Sequence, residues 1–129
     1  MNFPKDLRYT RTHEWARREQ AIVTVGISDY AQKEISDVVF VELPKVGHAA
    51  TQGKAVAVVE SVKAAFDIYA PVSGRVIKVN QELESNPAEV NQDCYGRGWF
   101  FQMELSSPAQ WESLLSSENY EHHLKQEAK

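Results

Sequence analysis

Residues 60–74 read ESVKAAFDIYAPVSG, and the runs on either side of Lys63 decide the fold. Upstream stand Ala55, Val56, Ala57, Val58 and Val59; downstream stand Asp67, Ile68 and Tyr69. β-Branched and aromatic residues favour pleated, half-buried backbone, so the pattern predicts two strands with Lys63 at the tip of the hairpin joining them. Small Ala64 and Ala65 follow the lysine. A lysine on a tight turn presents its amine on a rigid support that a modifying enzyme can reach. Taken alone, the same spacing also describes an ordinary hydrated lysine that blunts a strand edge.

Strand-like runs, the two flanking Lys63 included, lie at 22–25, 38–43, 54–60, 67–69, 75–79 and 99–105. They are separated by Gly26, Pro44 with Gly47, Gly53, Pro71 with Gly74, and Gly96 with Gly98, the punctuation of antiparallel β structure. This predicts a β-sandwich or flattened barrel. Ile27, Tyr30, Ala31 and Ile35 recur at helical spacing, with Ser28 or Asp29 as the N-cap, so a short helix is expected between the first two of these runs. Ser107-Pro108-Ala109-Gln110 combines a capping serine, proline at the first helical position and a glutamine placed for a capping box. Trp111, Leu114 and Leu115 give that helix an apolar stripe, and Tyr120 with Leu124 predict a second short helix.

A chain of 129 residues suits a single domain, 1–129, with a helical segment over about 107–126. That length buries about two thirds of its unfolded surface. With 43% hydrophobic and 25% charged residues, and no apolar run approaching the roughly 18 residues of a membrane span, no membrane role is expected. The first residues, MNFPKDLRYT, carry neither a signal peptide's apolar centre nor an arginine-rich transit pattern; a cytoplasmic bacterial protein is expected, and a mature mitochondrial form would look the same. Net charge is −4 with scattered basic residues, which gives no nucleic-acid footprint. Cys94 is the single cysteine, read as a buried thiol. His13, His48, His122 and His123 lack spaced metal-binding partners, and neither a G-x-S-x-G elbow nor a Gly-rich phosphate loop occurs. A catalytic site of its own is not expected, and the small size suggests a monomer.

The segment around Lys63 does not stand alone. T-R-T-H-E-W ending at Trp15, VTVGISDYAQ around Gly26, VVFVELPKVG from Val38 to Gly47, and then GRVIKVN, PAEVN, YGRGWF and ESLL carry a pattern over roughly residues 7–120. Together these motifs resemble the glycine cleavage system H protein family. The resemblance implies a mainly β, lipoyl-domain-like barrel-sandwich hybrid of two antiparallel sheets. Its lipoyl-binding core spans about 22–104, with short helices after the second or third strand and at the C-terminus. It implies lipoic acid attached covalently to Lys63 by a lipoate ligase or lipoyl transferase, with Glu60, Val62 and Ala64 read by that enzyme. It also implies an arm cleft at Glu14, Ile27 and Asp67, where the Glu14 carboxylate would pair with the cationic amine of the loaded arm.

The partners so implied are the P protein (glycine decarboxylase), which loads the aminomethyl group of glycine, the T protein (aminomethyltransferase), which removes it, and the L protein (dihydrolipoyl dehydrogenase), which reoxidises the arm. The chain would then be a carrier subunit rather than a catalyst. A lipoate relay, donating lipoyl groups to other enzymes, needs the same displayed lysine and stands as the alternative. A biotin carrier would place methionines where Val62 and Ala64 stand, and a lipoyl domain of a 2-oxo-acid dehydrogenase would carry D-K-A at the turn. Three residues depart from the pattern: Phe66 in place of a small polar residue, Glu34 in place of histidine, and Cys94 in place of proline.

Overall fold

The run before Lys63 is a strand because Ala57 and Val59 bury against a core while Glu60 turns to solvent, the period-two pattern of a half-buried strand. In the computed structural model, which describes residues 1–127, this strand is β6 (Ala55–Ser61) and the one after the lysine is β7 (Ala65–Tyr69). They pair antiparallel with Glu60 opposite Ala65 and Val58 opposite Asp67. β4 (Val38–Glu42) pairs on the far edge of β6, giving a three-stranded sheet in the order β4-β6-β7.

The facing sheet is six-stranded. It comprises β1 (Arg8–Tyr9), β2 (Glu14–Glu19), β3 (Ile22–Ile27), β5 (Ala49–Ala50), β8 (Gly74–Val79) and β9 (Phe101–Leu105), in the order β1-β2-β3-β9-β8-β5. Every recorded pairing is antiparallel, and neither sheet closes on itself. Val25, Val41, Val59, Ile68, Val76 and Phe101 fill the space between the sheets, each nearly or wholly buried. Burial of one such side chain is worth about 1.5–3 kcal/mol.

The helix α1 (Asp29–Ile35) follows β3, and Ser28 caps it: its Oγ accepts from the Ala31 N–H at 3.2 Å. Past β8 come two single-turn helices, α2 (Glu82–Ser85) and α3 (Glu89–Gln92). The chain ends in α4 (Pro108–Glu112) and α5 (Ser117–Glu127). A second apolar cluster of Leu7, Tyr9, Trp15 and Tyr120 seats α5, with the Tyr9 and Tyr120 rings stacked at 4.7 Å.

Three features differ from the sequence expectation. The six-stranded sheet starts well before residue 22, because EWARRE over residues 14–19 is a strand despite its charges. The Arg17 guanidinium lies over Trp15 at 4.9 Å and that of Arg18 over Trp111 at 5.8 Å, so these charged groups cover aromatic faces. Ser107 precedes α4 in extended geometry but makes no side-chain cap; Gln110, expected to complete a capping box, instead accepts from the Ser73 N–H at 2.6 Å and ties α4 to the residue before β8. The second C-terminal helix is also the longer of the two, since Tyr120 anchors it.

Gly26 is required where β3 passes Trp15. A Cβ there would lie 2.6 Å from the indole ring, which is fully buried and donates its Nε1–H to the Cys94 carbonyl at 2.8 Å.

Candidate functional site

Ser61 builds the tip that carries Lys63. Its N–H donates to the Ala64 carbonyl at 2.9 Å, and its Oγ accepts from the N–H groups of Lys63 (3.1 Å) and Ala64 (3.3 Å). The tip is pinned from below, because the Val62 N–H donates to the Asp37 carbonyl at 3.0 Å. Lys63 itself is exposed, and Val62 beside it is 66% exposed. The lysine Nζ reaches the Glu34 carbonyl at 3.2 Å, in the last turn of α1, where helix carbonyls lack partners and the helix dipole favours a cation.

From that contact a groove of about 470 Å³ runs between α1 and β7. Tyr30, Ala31, Glu34 and Ile35 form one side, Phe66 to Tyr69 the other, and residues 11–14 with Ile27 the end. Glu34 both lines the groove and touches the Lys63 amine, so the lysine stands at its mouth. From Ala65 to Tyr69 the strand β7 spans roughly 14 Å at the usual rise per residue.

Glu14 sits at the far end, 1% exposed, directly across from Ile27 in the β2–β3 register. Its carboxylate accepts three hydrogen bonds: from Thr10 Oγ1 at 2.5 Å, Thr12 Oγ1 at 2.6 Å and the Tyr69 N–H at 3.2 Å. Burial pushes the carboxyl above its ordinary range, and these bonds pull it back only in part. A buried carboxylate held this way offers negative charge where water is scarce and a cation would be attracted strongly.

The structure thus divides the predicted residues into two groups around one hairpin. Glu14, Ile27 and Asp67 all line the groove. Glu60, Val62 and Ala64 are exposed around the tip, outside it. Phe66, 37% exposed, contributes to the groove wall, and so does Glu34, so two of the three departures from the family pattern lie at this site. Cys94 is buried beneath Trp15, away from the groove, and burial pushes its thiol up to about 12.

Sequence reasoning missed Ser61, Thr10, Thr12, Tyr30 and Glu127. The signal for the threonines was present: T-x-T two residues before a buried glutamate is a ready pair of hydroxyl donors. Glu127 lies far away in sequence, and only the docking of α5 brings it to the groove.

Among the described residues, no group of three or more His, Cys, Asp or Glu side chains could hold a metal ion, and no helix is long and apolar enough to cross a membrane.

The family model described as "Glycine cleavage H-protein" matches residues 7–127. The chain is 53% identical to the glycine cleavage system H protein of Thermus thermophilus, covering 99% of this chain and 100% of that one. It is 51% identical to that of Carboxydothermus hydrogenoformans, covering 96% and 95% of the two chains. The crystal structure of a glycine cleavage system H protein from Mycobacterium marinum superposes with a TM-score of 0.89 at 32% identity, covering 95% of this chain and 99% of that one. Agreement in sequence and in fold along nearly the whole length establishes that the chain belongs to the glycine cleavage H-protein family.

Proposed function

We propose that this chain is the lipoyl carrier of a glycine cleavage system, holding its lipoyl group on Lys63. The observation that carries the reading is the placement of one exposed amine, on a hydrogen-bonded tip, at the mouth of a groove that ends on a buried carboxylate. The residues fit the group. An exposed lysine nitrogen can form the amide, and the apolar walls at Ile27, Ala31, Ile35 and Phe66 match an aliphatic chain. When bound, the lipoyl disulfide supplies a site that accepts a one-carbon amine fragment together with two electrons.

The chain's own residues do the rest. Ser61 and the Val62–Asp37 bond fix where the arm starts, so its freedom resides in side-chain torsions rather than backbone. A tether of that kind keeps its cargo at high effective concentration near each docked enzyme. Glu14, Asp67 and Ile27 form the end and side of the groove that would shelter a cationic cargo, and exclusion of water suppresses hydrolysis there. Glu60, Val62 and Ala64 present the tip to the acylating enzyme.

On this reading the partners are the P, T and L proteins and a lipoate ligase or lipoyl transferase, with the chain as carrier rather than catalyst; the family description supports both. The bacterial relatives support a cytoplasmic location.

The test is intact-mass analysis and peptide mapping after incubation with lipoate, ATP and a lipoate ligase, for the natural chain and for Lys63→Arg. The expected result is the gain of one lipoyl group on the peptide containing Lys63 and none in the variant. Acylation elsewhere, or none at all, would end the reading.

A further inference from the structure

The end of α5 returns to the groove that the arm is proposed to occupy. Glu127 lines it, and two histidines hold Glu127: His123 Nε2 at 3.0 Å from Oε1 and His13 Nε2 at 3.3 Å from Oε2. His123 Nε2 also lies 3.2 Å from the Arg11 carbonyl. His13 turns its other nitrogen to the Tyr120 hydroxyl at 2.9 Å, and that hydroxyl meets Ser28 Oγ at 2.6 Å. Ser28 is the cap of α1, one wall of the groove. His13 is held for this task in a left-handed conformation, φ 80°, which histidine tolerates better than most residues.

The carboxylate beside His13 Nε2 favours one order of protons along this chain. With the hydrogen on Nε2, Nδ1 accepts from the Tyr120 O–H. The tyrosine oxygen then accepts from the Ser28 O–H, and Ser28 Oγ accepts from the Ala31 N–H. A second proton on His13 would have to enter at Nδ1. Tyr120 would then turn its hydrogen toward Ser28, whose own hydrogen would have no acceptor among the described residues, in a site with no solvent exposure.

We propose that Glu127 is a positioning residue of the groove, a movable wall clasped by His13 and His123, and that the neutral His13–Tyr120–Ser28 chain couples this wall to α1. The role in sheltering cargo rests on the carrier reading, but the clasp belongs to the bare chain. The groups facing His13 are Glu127, His123 and Tyr120 from α5, Tyr30 and Glu34 from α1, and Arg11 and Glu14 from its own segment. Burial, aided by His123 and opposed by Glu127 and Glu34, holds the imidazole below its ordinary value of 6.5. The Glu127 contact by itself raises the imidazole, so protonation strengthens the clasp, while burial of the ring opposes that protonation.

The experiment uses the unmodified chain and its Glu127→Gln variant. Imidazole ¹⁵N spectra should show the Nε2–H form of His13, and Glu127→Gln should move its titration midpoint lower still. At neutral pH the variant should exchange the amides of α5's last turn about fivefold faster, the factor for one ordinary hydrogen bond. It should also accelerate exchange of the Tyr69 N–H, which is bonded to Glu14 at the far end of the groove.

A helix anchor without a wall role would leave Tyr69 untouched, and that result overturns the proposal. So does an Nδ1–H tautomer, or a His13 midpoint unmoved by the substitution. Lys63 that is never acylated would defeat the carrier reading while leaving these measurements unchanged, so the two failures are distinguishable.

Discussion

Thr10→Val tests whether Glu14 is held as an anion by design of its surroundings. Thr10 Oγ1 accepts from the N–H groups of Thr12 (3.2 Å) and Glu14 (3.1 Å), so both acceptor positions are used and its own hydrogen must go to Glu14 Oε1. Valine has nearly the same shape and breaks all three contacts. Loss of a hydrogen bond to a charged group costs about 1.5–3 kcal/mol, and an unpaired N–H in a half-buried turn adds about 1 kcal/mol or more. The expected destabilisation is therefore about 3 kcal/mol, which lowers the urea midpoint by roughly 1.5 M at the slopes usual for small domains.

Thr12 is exposed and its hydroxyl makes one bond to the carboxylate, so Thr12→Val should cost about 1 kcal/mol. The pH dependence follows from burial, which raises the Glu14 carboxyl against the pull of its donors. A raised acid binds its proton more tightly folded than unfolded, so its ionisation removes stability as pH rises above 4.5. Removing one donor enlarges that loss, and the Thr10→Val deficit should grow between pH 4 and pH 7. Equal costs for the two threonine variants, or a deficit that shrinks toward pH 7, would refute the description of Glu14 as a three-donor anion site.

Gly26→Ala should drive the new methyl into the Trp15 indole and cost about 2–4 kcal/mol by overpacking and loss of the Nε1–H bond to Cys94, read as a drop in thermal midpoint on the order of 10 °C. Asn91 accepts from the Val38 N–H at 2.9 Å and donates to the Ser36 carbonyl at 2.9 Å, closing the connection between α1 and β4 beneath the lysine tip. Asn91→Leu should cost about 2 kcal/mol in a denaturant melt and raise hydrogen exchange at the Val62 N–H. Cys94, buried with its thiol pushed up to about 12, should react with a thiol reagent at pH 8 far more slowly in the folded chain than in urea. Equal rates would show that the YGRGWF loop opens freely.

The hairpin around Lys63 was legible because both of its strands are dense in β-branched residues and the tip is short. So was α1, where helical spacing and Ser28 agree. β2 was not, since Arg17, Arg18 and Glu19 read as solvent-facing polar residues until Trp15 and Trp111 are seen to lie under the guanidinium groups. Gln110 misled in the same way: a local rule predicted a capping box, and a tertiary partner, the Ser73 N–H, took the side chain instead. Within the groove, Glu14, Ile27 and Asp67 entered through resemblance to a family. Thr10 and Thr12 left a local T-x-T signal that only the burial of Glu14 makes meaningful, and Glu127 left none, because its contact with His13 exists only after folding.

The lysine and the buried carboxylate are related through one rigid element. Lys63 leaves the tip of the β6–β7 hairpin, while Glu14 is bonded to the Tyr69 N–H at the last residue of β7. β7 pairs with β6 along its length, β6 is flanked by β4, and the tip is fastened to the Asp37 carbonyl. The sheet between the lysine tip and Glu14 is therefore spanned by a single strand, β7, roughly 14 Å from Ala65 to Tyr69, which cannot change length without breaking sheet pairing. The Lys63 side chain and the end of α5 are held instead by contacts of exposed or titratable groups. The proposed carrier role, in which a cargo arm is released without loosening the fold, suits that division, with a fixed distance in the sheet and reversible contacts at the groove's mouth and wall.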